Sequence, residues 1–205
     1  MLNSFFYKLI KKIQGGRMFN DEVFGNPEFH PKSFKSSKAT VIGKVRVAEN
    51  VIIAPNASIR ADEGTPFFIG KGTNIQDGVI MHGLLDKFVT VDEMKYSIYI
   101  SSHCSLAHRA LIHGPSLIGK KTFVGFDAIV HNATIGRNCF IGHRAMVIGV
   151  KIGNYRQVPN GLIVDTQEKA DKLEKVTDEQ KHFNMEVVDY NKKLCKLYKE
   201  RRKLK

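Results

Sequence analysis

The sequence predicts an all-β chain wound into stacked, three-sided turns and closed by one C-terminal α-helix. Three observations carry that expectation. Large aliphatic residues recur every six positions from Val41 to Val158, a small residue follows most of them four positions later, and Thr177-Asp178-Glu179-Gln180 opens a run with helical spacing.

The large positions start at Val41, Val47, Ile53 and Ile59, resume at Ile69, Ile75 and Met81, and continue through Ile100, Leu106, Ile112, Ile118, Val124 and Val130. After a five-residue step come Ile135, Ile141 and Val147, and after another Ile152 and Val158. Val45, Val51, Ala57, Thr73, Val79, Cys104, Ala110, Ser116, Thr122, Ala128, Cys139 and Ala145 are the small partners. Glycine often follows the aliphatic directly, as in Ile118-Gly119 and Val124-Gly125. One bulky and one small inward residue per hexapeptide describe a face and a corner of a triangle. Three faces make a coil of about eighteen residues, and stacked coils bury a continuous core. An amphipathic helix would repeat at i, i+3, i+4 and a half-buried strand at two; neither fits. The hexapeptide pattern resembles that of left-handed parallel β-helices, and the handedness rests on that resemblance. Cys104 and Cys139 fall on small inward positions and read as core filler.

The repeat breaks between Gly83 and Ser97, where a loop projects, and it ends beyond Pro159. Thr177 to Gln180 has the form of a capping box. With Phe183, Val187, Leu194 and Leu197 or Tyr198 behind it, it predicts a helix from about Asp178 to Arg202 along the outside of the coil. The expected organisation is an N-terminal extension over 1–34, a β-helix over 35–165, and a connector, helix and basic tail over 166–205.

At 205 residues and 42% hydrophobic, the chain has material for one domain with a real core. Its formal charge of +12 is concentrated at the ends. Residues 1–17 hold four basic groups and no acid, and residues 192–205 hold eight against Glu200. The rest holds 20 basic and 19 acidic groups, so a nucleic-acid groove, which needs basic charge across the folded surface, is not expected. Met1 to Gln14 sets Phe5, Phe6, Leu9, Ile10 and Ile13 against Lys8, Lys11 and Lys12, a spacing that would suit a short amphipathic helix at a membrane surface. No segment has the apolar length of a membrane span, no secretory cleavage pattern is present, and three cysteines lack Cys-x-x-Cys spacing. A reducing cytoplasm is the expected compartment.

His82 and His113 each follow an inward aliphatic, Met81 and Ile112, at equivalent points of adjacent coils. They therefore stack one strand spacing apart, about 4.8 Å. His108 comes two residues after Leu106 and so lies at a different corner. Five residues at ~3.3 Å each put it roughly 15 Å from His113. Zinc holds imidazole nitrogens at about 2.0–2.1 Å. If the three histidines share a metal, two come from one subunit and one from its neighbour, and a homotrimer becomes obligatory. Each alone reads as a surface histidine; company raises the odds. Arg60 stands on the His82 corner one coil earlier, followed by Asp62 and Glu63, while Asn74, Gln76 and Asp77 cluster near His108.

Three runs, Ser58-Ile59-Arg60-Ala61-Asp62-Glu63-Gly64, Asn74 to His82 and Ser105 to Pro115, resemble the signatures of the γ-class carbonic anhydrases, including the carboxysome-associated members. The likeness covers about residues 35–190. It implies His82, His108 and His113 as ligands to zinc, with iron or cobalt as alternatives, and reversible hydration of carbon dioxide to bicarbonate by a metal-bound hydroxide. It further implies Arg60, Asp62 and Asp77 as a charged cluster bracing the subunit interface, Gln76 as the group orienting the hydroxide, Asn74 as an aid in placing carbon dioxide, and Glu63 as a proton handler. Asn184 falls where the family's helix brings an asparagine near the site. The chain departs from the prototype in a shorter loop after His82, with Leu85 in place of a glutamate, and in His131, read as a surface or supporting residue. The rival readings are a non-catalytic metal-binding scaffold of the same type, and a hexapeptide acyltransferase, whose single histidine base has no use for this set.

Overall fold

The computed structural model describes residues 25–63 and 65–203. The amphipathic run at residues 1–14 lies outside them. Among the described residues, successive short strands visit three faces in turn, giving three seven-stranded parallel sheets, and so seven coils. The first described strand of the coil is Glu28–Phe29, which pairs with Arg46–Val47 of the next coil. Every large position from Val47 to Val158 is buried, as is every small partner; only Val41, on the first coil, is partly exposed. Burial of this aliphatic column, at about 25 cal/mol per Å² of apolar surface, is the main force holding the coil together.

The corners explain the period. Three residues after each large position on the first and second sheets the backbone turns left-handed, for example at Asn50, Asn56, Gly72, Gly78, Arg109, Asp127 and Asn138. The buried small residue comes next. The two five-residue steps both occur at the corner from the third sheet back to the first. There the left-handed residue, Asn132 or Gly149, comes two after Val130 or Val147, and Ala133 or Val150 is the buried follower. Glycine after an aliphatic has a contact reason: a Cβ on Gly119 would lie 2.5 Å from Gly136 C of the next coil, and one on Gly125 would lie 2.7 Å from His143 N.

The loop after His82 carries an antiparallel hairpin, Val89–Val91 with Met94–Tyr96, and the coil resumes at Ile98. Helix α1 (Gln167–Asp171) closes the last coil by burying Ala170, with Leu173 just beyond it. Helix α2 (Asp178–Lys203) starts at the capping box: Thr177 Oγ1 accepts from Gln180 N at 3.1 Å, and Gln180 Oε1 accepts from Thr177 N at 2.9 Å. It packs on the second sheet, burying Asn184, Val188 and Cys195. Asn184 Nδ2 donates to Lys121 O at 3.0 Å, while Cys195 reaches Lys32 O and Val51 O, so the helix runs back down the coil. No helix among the described residues is long and apolar enough to cross a membrane.

Candidate metal centre

Strand alternation points Arg60, His82, His113 and His131 outward from the third sheet, and parallel pairing puts their Cα atoms in one register. The His82 and His113 ring centroids are 5.5 Å apart and those of His113 and His131 are 5.2 Å apart. His113 Nδ1 lies 3.1 Å from Gly114 O. A carbonyl can only accept, so Nδ1 carries the proton and Nε2 presents its lone pair outward. His82 Nε2 lies 3.2 Å from Asp62 Oδ1 and 3.6 Å from Glu63 Oε1. Arg60 Nη1 donates to the other Asp62 oxygen at 3.0 Å. Glu63 Oε2 accepts from the backbone N–H of Leu85 at 2.8 Å, which ties the loop to the histidine row.

His108 occupies the corner between the second and third sheets, one coil above Asp77, because Ile75 and Leu106 pair in register. Its Nδ1 is 3.3 Å from Asp77 Oδ2, and half its side chain is open to solvent. That carboxylate stands close enough to balance charge beside His108. Gln76 Nε2 donates to Asn74 Oδ1 at 2.9 Å, and Asn74 Nδ2 donates to Ser105 Oγ at 2.9 Å. Asn74 is fully buried, so it acts on the surface only through Gln76. Next to His108, Arg109 holds Asp127 in a two-bond pair of 2.7 and 2.8 Å, and this guanidinium keeps the Asp127 carboxyl below its usual range.

The chain thus presents two half-sites. One holds Arg60, Asp62, Glu63, His82 and His113; the other holds Asn74, Gln76, Asp77 and His108. Among the described residues of one chain, no three His, Cys, Asp or Glu side chains are grouped to hold a metal ion. The donor chemistry nonetheless suits a divalent cation: imidazoles on two corners, His113 with Nδ1 on the Gly114 carbonyl, beside carboxylates that balance charge. His131 stands exposed at the end of the row. Asn184 lies at the corner between the first and second sheets, where its Nδ2 donates to Lys121 O, and Asn191 of α2 lines the same cleft as His108. Sequence reading missed two partners. Ser105 could have been found from its register opposite Asn74, whereas the Leu85 N–H could not, because nothing in a loop's sequence fixes its path.

Coil, corners and covering helix define the class, a left-handed β-helix of hexapeptide repeats. Solved structures agree on the fold. A hexapeptide transferase family protein from Anaplasma phagocytophilum matches with a TM-score of 0.68 at 19% identity, covering 84% of this chain and 92% of that one. A Bacillus cereus protein provisionally described as an acetyltransferase gives 0.69 at 21% identity, covering 85% and 92%. No family model matches the chain. Among curated proteins, a carbonic anhydrase from Methanosarcina thermophila is 41% identical over 186 residues, 85% of this chain and 75% of that protein. A carboxysome assembly protein, CcmM of Nostoc sp., is 43% identical over 168 residues, 82% of this chain but 30% of that protein. The chain belongs to the γ-class carbonic anhydrase family.

Proposed function

We propose that this protein is a metal-dependent carbonic anhydrase that interconverts carbon dioxide and bicarbonate as a homotrimer, with each site formed between two copies. The observation that carries the reading is the split histidine set, in a chain 41% identical to a carbonic anhydrase: His82 and His113 are 5.5 Å apart on one face, with His108 on another corner. His82 and His113 of one copy and His108 of the next would hold zinc, iron or cobalt. Such a cation lowers the pKa of bound water and so supplies a nucleophile near neutral pH, an effect for which carbonic anhydrases are themselves the reference case.

The chain's own groups do the rest. The Gly114 carbonyl accepts from His113 Nδ1, and the Asp77 carboxylate lies 3.3 Å from His108 Nδ1. Arg60 neutralises Asp62 beside His82. Gln76, anchored through its Nε2 on Asn74, keeps Oε1 free to accept a proton-bearing oxygen and so to orient the nucleophile toward carbon dioxide. Glu63 is partly exposed, touches His82 through one oxygen and the loop through the other, and stands where a proton must leave. The test is a carbon dioxide hydration assay on anaerobically purified protein, with metal content and mass measured on the same sample. Catalysis by a trimer that is lost on chelation is expected; a metal-loaded trimer with no activity refutes the enzymatic reading.

A second reading, a trimeric metal-binding scaffold without catalysis, draws on the 43% identity to a carboxysome assembly protein. The inactive metal-loaded trimer is the result it predicts. The acyltransferase reading gains nothing from the solved structures, whose likeness extends to the fold alone.

A further inference from the structure

The loop that leaves the coil after His82 exposes large apolar side chains: Leu84 is 39%, Leu85 37% and Phe88 40% accessible. Its backbone is nevertheless pinned at the site by the Leu85 N–H on Glu63. Beside the other half-site, a cleft of about 530 Å³ runs between the coil corner and α2. His108 and Asp77 stand at one end, Pro55 and Ile52 form the wall, and Tyr190 and Leu194 of α2 face them.

We infer that this cleft is the seat for residues 84–88 of a neighbouring copy, so that an apolar loop from one subunit and α2 of the next close the shared site. The inference rests on the split-site reading, and connectivity selects the occupant. Leu84 and Leu85 lie two and three residues beyond His82, within about 10 Å at strand spacing. Any arrangement that brings one copy's His108 to another copy's His82 therefore brings the cleft beside His108 to this loop. Among the described residues, three apolar side chains facing water on one corner and an apolar-walled cleft on another are left unpaired in the single chain, and assembly buries both. The exchange also explains why leucine is tolerated at position 85: its side chain serves the neighbour, and only its backbone serves Glu63.

The chain contains no tryptophan, so Leu85→Trp in the full-length protein is a clean reporter. Its emission should be shifted to the blue in the oligomer and return to that of a solvated indole when Leu194→Glu is added to the same chain. Phe88→Trp gives a second reading should the first variant fold poorly. Solvated emission from an oligomer in which mixed His82→Ala and His108→Ala chains still recover metal would overturn the seat and leave the shared site standing. Solvated emission from chains that remain monomeric and never recover metal in such mixtures would overturn both.

Discussion

If the ligands are divided between copies, chains defective in different halves should repair one another by a fraction that symmetry fixes. His108→Ala leaves His82 and His113 intact, and His82→Ala leaves His108 intact. In a cyclic trimer each site takes its histidine pair from one copy and its single histidine from the next. Random assembly of equal amounts therefore makes about one quarter of the sites complete, because the first position must be a His108→Ala chain and the second a His82→Ala chain. Unfolding the two variants together, refolding them with metal and measuring both bound metal and hydration rate should recover about a quarter of the wild-type value, against a near-zero baseline for either alone. The control is sharper still. His82 and His113 lie on adjacent strands of one chain, in register. Mixing His82→Ala with His113→Ala should recover nothing, since no site can draw the pair from two copies. Recovery in that control, or none in the first mixture once mass spectrometry confirms mixed trimers, refutes the division of the site.

His131→Ala should retain full metal content, because it lies beyond the histidine pair and the ring on the matching corner of its coil is Phe126; loss of metal, measured by elemental analysis, would show the ligand set to be wrong. Glu63→Gln should lower turnover in dilute buffer and recover as imidazole buffer is added, while the second-order constant for carbon dioxide holds; a silent substitution removes Glu63 from proton handling. Leu106→Ala, at a fully buried position, should cost about 2–5 kcal/mol in denaturant unfolding, and a loss well below 1 kcal/mol would contradict the close-packed interior. Burial pushes the Cys104 thiol up to about 12, so at pH 8 it stays protonated. The native protein should therefore leave Cys104 unmodified by iodoacetamide until it unfolds, as mapped by peptide mass; rapid native labelling would show an open core.

The coil was legible because its information is local and repeated. A six-residue period fixes which side chains point inward, and parallel stacking then places equivalent positions of successive coils one strand apart. That logic put Arg60, His82, His113 and His131 in one row and His108 on another corner, where the structure has them. It also marked the start of α2, since Thr177 and Gln180 satisfy each other's backbone within one turn. The first described strand was less visible: Glu28–Phe29 carries no inward aliphatic at the six-residue spacing and is recognisable as a strand only through its pairing with Arg46–Val47.

Tertiary packing decided what no period encodes. The position at which α2 crosses the second sheet follows from burying Val188 and Cys195 against distant coils, and this seats Asn184 at Lys121 while leaving Asn191 beside His108. The loop after His82 has no repeat to guide it, so only its folded path brings the Leu85 N–H to Glu63. The contact of buried Asn74 with Ser105, behind Gln76, and the approach of Asp77 to His108 likewise depend on groups brought together across coils. Sequence by itself determined the repeating frame and the side chains it displays. The atoms those side chains present, and their partners, were set by non-local packing, whose energies depend on distances of a few tenths of an ångström that sequence periodicity does not specify.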